Sequence, residues 1–217
     1  MSKSPDGHAR RQAAKRAEIL AAAKEIFLAE GYGRASMDAV LAKVGGSKRT
    51  LYSHFGSKDA LFAAIVTEVS DRVLEALRPP LDGGDLRATL TIMGERYLTV
   101  LLSADGLALY RAMVAEAPHF PALAETFFAN GPGRASRHLA GFFRDRKRTG
   151  VLRVEDPQRA AEQFLGMVRG DVHLAAVLSR RTPTGALVRK TVRQAVEVFL
   201  NGATPGQGGG RRRAAPR

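Results

Sequence analysis

The chain has 217 residues, 45% of them hydrophobic, which is enough apolar material for the core of one or two domains. A formal net charge of +13 indicates a polyanionic partner, with nucleic acid as the first candidate and an acidic membrane surface as the second. The absence of cysteine excludes disulfides, thiol nucleophiles and cysteine-ligated metal centres. The five histidines show no metal-ligand spacing, so we expect no metal and no other cofactor.

The two ends of the chain differ in composition from its middle. Residues 1–18 are charged and precede no apolar stretch that resembles a signal sequence, and no apolar run reaches the ~18 residues of a membrane span. We therefore expect a cytoplasmic protein without membrane contact. Residues 1–11 are polar and basic, and residues 202–217 are rich in Gly and Arg, so both segments are expected to be flexible.

Between these ends, apolar residues recur at spacings of three and four, which predicts an all-α protein. The first four helices are predicted over 12–30, 37–44, 48–54 and 58–77. Ser36, Ser47 and Ser57 precede three of these helices and are typical N-cap residues. After a linker-like Asp-Gly-Gly-Asp at 82–85, further helices are predicted over 86–102, 107–117, 121–130, 133–149, 157–178 and 183–200.

The sequence Gly-Gly-Ser-Lys at residues 45–48 has two interpretations. A Walker phosphate-binding loop needs the pattern G-x-x-x-x-G-K-[ST] after a buried strand, and neither the spacing nor the strand is present. A helix-turn-helix needs a short helix, a tight glycine turn and a second short helix, and this segment has all three. We favour the helix-turn-helix, so the phosphates to be contacted belong to DNA.

The second helix of this motif begins with side chains that can donate hydrogen bonds to DNA. Arg49 is the best base reader, because its planar guanidinium can bind guanine O6 and N7 together. Lys48 and Thr50 suit either bases or backbone, whereas Tyr52 and His54 suit phosphate oxygens. Taken singly, each residue is equally consistent with an ordinary surface side chain.

Residues 16–66 resemble the DNA-binding domain of the TetR family of transcriptional regulators. The resemblance rests on RAEILAAAKEIFLAEGYG, on a serine before the second helix, on the Gly-x-Ser turn, and on LYSHFGSKDAL. It implies that the residues contacting DNA are Ser36, Ser47, Lys48, Arg49, Thr50, Tyr52, His54 and Lys58. Arg49 stands where the family often has a small residue, so we expect it to contribute to operator choice. Gly46 replaces a usual valine and Leu41 a usual alanine, which bears on the tilt of the recognition helix.

Residues 107–178 resemble the AefR-like C-terminal regulatory domain, through VAEAPHFPALAETFFANGPGRASRHLAGFF and GVLRVEDPQRAAEQFLGMVRGDVHLAAVL. Helix-turn-helix proteins of this kind read two half-sites about one DNA turn apart, which requires a dimer. The resemblance implies that the last two helices pair across that dimer, although their apolar faces also suit an ordinary core. The predicted interface residues are Phe164, Val168, Val172, Val188, Val192, Val196 and Phe199.

Aromatic rings and flexible thioethers in the same half suit an adaptable apolar pocket, although each of them also suits plain core packing. The predicted pocket residues are Met93, Tyr97, Tyr110, Met113, Phe120, Phe127, Phe128 and Met167. The predicted organisation is a flexible N-terminus, a DNA-binding domain, an effector-binding and dimerisation domain and a disordered tail, over 1–11, 12–62, 63–201 and 202–217.

The leading hypothesis is a transcriptional regulator, most simply a repressor released from a palindromic operator by a small apolar effector. Its partners would be double-stranded DNA, a second copy of the chain and an unknown effector. The alternative is an architectural DNA-binding protein without an effector, which the basic charge favours and the large C-terminal half opposes. An enzyme is disfavoured, because no nucleophile setting or metal-like cluster is present in the sequence.

Overall fold

The computed structural model describes residues 5–81, 85–179 and 181–203, and all regular elements within these ranges are α-helices. The helices are α1 Pro5–Glu30, α2 Met37–Val44, α3 Lys48–Phe55, α4 Lys58–Ala76, α5 Leu86–Leu101, α6 Ala104–Glu116, α7 Pro121–Asn130, α8 Pro132–Arg148, α9 Pro157–Leu178 and α10 Gly185–Ala203. The predicted all-α class, with a three-helix N-terminal unit followed by a larger helical part, is confirmed.

Two helices start several residues earlier than the sequence predicts. α1 begins at Pro5 rather than near residue 12, so residues 5–11 of the segment expected to be flexible are helical. Alanine and arginine are strong helix formers, and Ala9, Arg10 and Arg11 favour the helix here. α6 begins at Ala104 rather than at residue 107, because Ser103 caps it and accepts a hydrogen bond from the Gly106 N–H at 3.2 Å. Residues 82–84 of the predicted linker, and 204–217 of the predicted tail, lie outside the described residues.

The predicted N-caps are present in the structure. The hydroxyls of Ser36, Ser47 and Ser57 each accept a hydrogen bond from the backbone N–H three residues later, at 3.0, 3.1 and 3.1 Å. The turn between α2 and α3 is formed by Gly45 and Gly46, with φ of 67° and 98°. A β-branched residue rarely adopts such angles, so the glycine at 46 fits the conformation of this turn.

The helices enclose two hydrophobic clusters that α4 connects. The first cluster fills the space among α1–α4 and includes Leu109 and Met113 from α6. The second lies among α5, α8, α9 and α10 and includes Val73 from α4. The helix-turn-helix is therefore held to the rest of the molecule by α4 and by the packing of α6 and α7 on the first cluster.

The stripe predicted to form the dimer interface packs inside the protomer instead. Phe164, Val168, Val188, Val192, Val196 and Phe199 are all buried in the second cluster, and Val172 packs partly buried against it. Both helices have apolar residues on more than one face, and the α5 backbone approaches this stripe closely. A Cβ added at Gly94 would lie 2.8 Å from a methyl carbon of Val192. The exposed apolar side chains of α9 and α10 are Leu174, Leu178, Leu187 and Val198.

Among the described residues, no single helix is long and apolar enough to cross a membrane, although α5 and α6 pass the same test together as a pair bent by 64°.

Candidate DNA-binding surface and effector cavity

The recognition helix α3 has one buried face and one exposed face. Leu51 and Phe55 are 1% and 6% exposed and anchor the helix in the first cluster. Lys48, Arg49 and Tyr52 are exposed on the other side. The apolar residues that interrupt this polar segment thus fix the helix, and its polar residues form a surface open to a partner.

The two cations at the start of α3 differ in their surroundings. Lys48 forms an ion pair with Asp38 of α2 at 2.8 Å, and the hydrogen bond to this carboxylate raises the pKa of Lys48. Arg49 is exposed and has no hydrogen bond or ion pair within the described ranges of the chain. Within the described residues the donors of the Arg49 guanidinium are therefore unused, whereas Lys48 would have to leave Asp38 to contact a phosphate.

The predicted serine and threonine contacts already have structural roles. Ser36 caps α2, and Ser47 caps α3 while its hydroxyl also lies 3.0 Å from that of Thr50. A capping hydroxyl still has hydrogen-bonding capacity for a phosphate oxygen, because it is both a donor and an acceptor. His54 is partly buried against the Phe55 ring, with centroids 6.4 Å apart.

Lys58, in the first turn of α4, is held in place by the protein. Its amine lies 4.3 Å from the centroid of the Tyr32 ring and donates to the Gly33 carbonyl at 3.3 Å. Burial lowers the pKa of Lys58. The Tyr32 hydroxyl hydrogen-bonds to Asp59, a contact that the sequence analysis did not identify. Lys58 is thus positioned near the N-termini of α2 and α4 rather than extended into solvent.

The N-terminal part of α1 carries basic residues next to the helix-turn-helix. Lys15 donates to the Val44 carbonyl at the end of α2, at 3.0 Å. The guanidinium of Arg16 lies 4.8 Å from the centroid of the Phe55 ring of α3. The cluster of basic residues in RRQAAKR was visible in the sequence, but its position depends on α1 being helical there.

A cavity lies between α4, α5, α6, α7, α8 and α9. Its lining consists of Val66, Val69, Ser70, Val73, Tyr97, Leu101, Gly106, Leu109, Tyr110, Phe127, Gly131, Pro132, Ala135, Arg169 and His173. About 70 Å³ is open to the centre of a water molecule, and a single buried water needs ~10–15 Å³ of such space. The cavity thus has room for several waters or a small ring, and a larger molecule requires the helices to move.

Three of the predicted pocket residues, Tyr97, Tyr110 and Phe127, line this cavity. The other five lie elsewhere. Met93 is buried in the second cluster, Met113 in the first, and Phe120 packs against the first. Phe128 is 64% exposed, and Met167 borders a shallow depression near Phe199. Helical periodicity identifies buried positions but not the ones that adjoin a void, so the polar lining residues Ser70 and Arg169 were missed.

The cavity wall is mostly apolar, with polar groups on α4, α5 and α9. The hydroxyl oxygen of Ser70 is buried and has no hydrogen-bond partner within the part of the chain that the structure describes. Tyr110 packs edge-on against His173 with ring centroids 4.9 Å apart. Burial, with a smaller effect of the Arg169 charge, lowers the pKa of His173, and burial raises the pKa of Tyr97 to about 12. Both side chains are therefore neutral at pH 7.

Helix α6 joins this cavity to the DNA-binding part. Leu109 and Tyr110 line the cavity, and Asp105 at the start of the same helix forms ion pairs with Lys24 of α1 at 3.1 Å and Arg72 of α4 at 3.0 Å. These two cations keep the pKa of Asp105 below its usual value, although burial opposes them.

Two further side chains of α6 bind other parts of the protein. Arg111 donates to the carbonyls of Ala176 and Val177 at the C-terminus of α9, at 2.6 and 2.8 Å. Glu116 accepts a hydrogen bond from the Gly33 N–H, just before α2, at 3.1 Å. A displacement of α6, or of α9 with it, would therefore alter the contacts that α6 makes with α1 and with the segment before α2.

Comparison with known proteins agrees with this arrangement. Residues 19–65 match the tetR family of bacterial regulatory proteins, and residues 88–202, more than half of the chain, match the C-terminal domain of AefR-like transcriptional repressors. The regulator UidR of Escherichia coli K12 is 37% identical over 101 residues, which cover 42% of this chain and 52% of UidR. The match thus spans about half the length of that relative.

Two solved structures are similar over nearly their whole length. A TetR-family regulator from Mesorhizobium loti superposes with a TM-score of 0.78 at 27% identity, over 90% of this chain and 99% of that one. The Flavonoid-responsive Regulator FrrA superposes with a TM-score of 0.76 at 33% identity, over 89% and 98%. These relatives are transcriptional regulators and not enzymes. With a helix-turn-helix in its N-terminal part and an AefR-like C-terminal domain, the chain belongs to the TetR family of bacterial transcriptional regulators.

Proposed function

We propose that this regulator is a homodimeric repressor that binds a palindromic operator and leaves it when a small molecule occupies the cavity. The observation that carries the proposal is the position of α6. This helix lines the cavity through Leu109 and Tyr110, and it contacts the DNA-binding part through Asp105 and Glu116.

DNA recognition is assigned to the exposed face of α3. Arg49 is unpaired in the described structure and carries the guanidinium geometry that suits guanine in the major groove. Lys48, Tyr52 and the N-termini of α2 and α4 are assigned to phosphates, which position the helix without reading sequence. A single eight-residue helix reads only a few base pairs, so a useful operator needs a second copy.

The proposed dimer surface is the solvent-facing side of α9 and α10. Leu174, Leu178, Leu187 and Val198 are 53%, 79%, 44% and 65% exposed on these helices. Large apolar side chains grouped on two adjacent helices are typical of a protein contact. We assign a second copy as the occupant, since TetR-family regulators typically dimerise.

Release from DNA follows from differential binding. A ligand changes the fraction of DNA-competent protein only if it binds the DNA-incompetent arrangement more tightly. A molecule larger than the present cavity does this by requiring α6 or α9 to shift, which alters the contacts of Asp105 and Glu116. The name of the similar FrrA, which describes that protein as flavonoid-responsive, supports an effector for this chain as well.

The alternative is an architectural protein that binds DNA without sequence preference. The net charge of +13 favours it, because phosphate neutralisation alone gives sequence-independent binding. The buried cavity and the helix that connects it to the DNA-binding part have no use in such a protein, and they favour the repressor.

The test is selection of bound DNA from a random library at a stated salt concentration. Wild type is compared with Arg49→Ala and with Arg144→Ala, which removes an exposed arginine from α8. We expect a palindromic site for wild type and for the control, and loss or relaxation of base preference in Arg49→Ala at a cost of about 1–3 kcal/mol. Binding without any preferred sequence, equal in all three proteins, would overturn the proposal in favour of the architectural alternative.

A further inference from the structure

The cavity wall contains a cation without an anionic partner. Arg169 lies on α9 directly before Gly170, and its partly buried side chain lines the cavity. In the described parts of the chain, its guanidinium has no hydrogen bond or ion pair, and the lining includes no Asp or Glu. By contrast, Lys24 and Arg72 nearby on α1 and α4 are both paired with Asp105.

An unpaired cation beside an apolar cavity is costly, because desolvation is not offset by an opposite charge. A ligand of opposite charge would supply the partner that the cavity wall lacks. Arginine is also the cation best suited to a planar acidic group, since its parallel N–H donors bind two oxygens at once.

Further hydrogen-bonding groups converge on the same space. The Ser70 hydroxyl oxygen is buried, lines the cavity and has no hydrogen-bond partner among the described residues. Tyr97 is 5% exposed, and the charge of Arg169 acts on both Tyr97 and His173. A ligand with acceptor oxygens would satisfy Ser70 and Arg169 together, which a hydrocarbon would not do.

We propose that the effector is a small amphiphilic anion, whose acidic group pairs with Arg169 and whose apolar body packs against Val69 and Phe127. This inference rests on the proposed function, because it names the chemical class of the molecule that fills the cavity. Carboxylates, sulfonates and ionised phenols share the required chemistry. The present cavity holds no more than a small ring, so a larger apolar body occupies it only when α6 or α9 shifts.

Two fluorescent probes with the same ring system separate charge from apolar contact. 8-Anilinonaphthalene-1-sulfonate carries the acidic group, and N-phenyl-1-naphthylamine lacks it. Both are titrated into wild type, Arg169→Gln and Arg169→Lys, with Arg144→Gln as a control of equal charge change on α8. We expect Arg169→Gln to weaken sulfonate binding about tenfold, or about 1.4 kcal/mol, and to leave the neutral probe unchanged. Arg169→Lys should retain part of the preference, and Arg144→Gln all of it.

The binding site is located with Ala135→Leu, which fills the cavity from α8 and should remove the binding of both probes while circular dichroism confirms that the variant is folded. The inference is overturned if wild type binds neither probe, or if Arg169→Gln affects both probes equally or neither. Selection of operator DNA uses no probe, so the two proposals fail separately. A protein that selects an operator but does not distinguish the probes contradicts only the anionic effector, and one that distinguishes them but selects no DNA contradicts only the repressor.

Discussion

On the surface proposed to contact DNA, the lysine at the start of α3 is paired with an acidic residue of α2. Asp38 is exposed, lies on α2 and is paired with Lys48 on the recognition helix. Exposed ion pairs contribute little to stability, so the importance of this pair lies in what it does to DNA binding. In the proposed complex with DNA, Lys48 leaves Asp38 to neutralise a phosphate, and the freed carboxylate then faces a polyanion.

Replacing Asp38 by Asn should therefore tighten DNA binding. Lys48 is then available without competition, and one negative charge is removed from the surface. We expect the slope of log K against log[salt] to become steeper by up to about 1, because about one more phosphate charge is neutralised. Fluorescence anisotropy with a labelled operator at several salt concentrations measures this slope. Glu75→Gln, which breaks the comparable Arg78 pair at the far end of α4, is the control and should leave the slope unchanged. Weaker binding by Asp38→Asn would show that Asp38 positions Lys48 for DNA.

At the scale of elements, α9 is not one straight helix. Gly170 has φ 45° and ψ −159°, which lies outside the helical region and is accessible almost only to glycine. The kink falls between Arg169 and His173, so it determines how both side chains line the cavity. The kink therefore lies in the part of α9 that a ligand in the cavity would contact.

Gly170→Ala should destabilise the protein, since alanine must adopt this conformation or straighten the helix. We expect a loss of about 1–3 kcal/mol in the free energy of unfolding, measured by urea denaturation. Gly141→Ala on α8 is the matched control, because a Cβ there meets no atom within 4 Å. The control should be neutral or stabilising by about 0.5–1 kcal/mol. Equal effects of the two substitutions would contradict the special role of the kink.

The elements also show what could be predicted from sequence. The bounds of α2 and α9 were predicted correctly, because serine or proline begins each helix and glycine or a polar segment follows it. The kink in α9 was not predicted, since an isolated glycine in a helical pattern gives no indication of its backbone angles. Six of the seven residues predicted for the dimer interface are buried inside the protomer, because α9 and α10 have two apolar faces and periodicity cannot tell which one α5 covers.

At the scale of the whole molecule, three places that are distant in sequence are joined by α6. Asp105 pairs with α1 and α4, Arg111 holds the last carbonyls of α9, and Glu116 binds the segment before α2. The sequence predicted that a regulatory half follows a DNA-binding half. It could not predict these contacts, because they depend on long-range packing rather than on local pattern.

The proposed repressor requires two recognition helices about one DNA turn apart, and the spacing between them must change when a ligand fills the cavity. The most direct measurement is the distance between spin labels at Ser53→Cys of α3 in two copies, which is practical because the chain has no cysteine. With the selected operator we predict one narrow distance near the ~34–36 Å separation of half-sites, allowing for the label arms. When 8-anilinonaphthalene-1-sulfonate is added to the labelled protein, whose cavity residues are unchanged, we predict that the distance between the labels changes and that DNA is released. The proposed repressor would be contradicted if no distance between labels were detected on the operator. It would also be contradicted if the distance stayed the same when the cavity is filled.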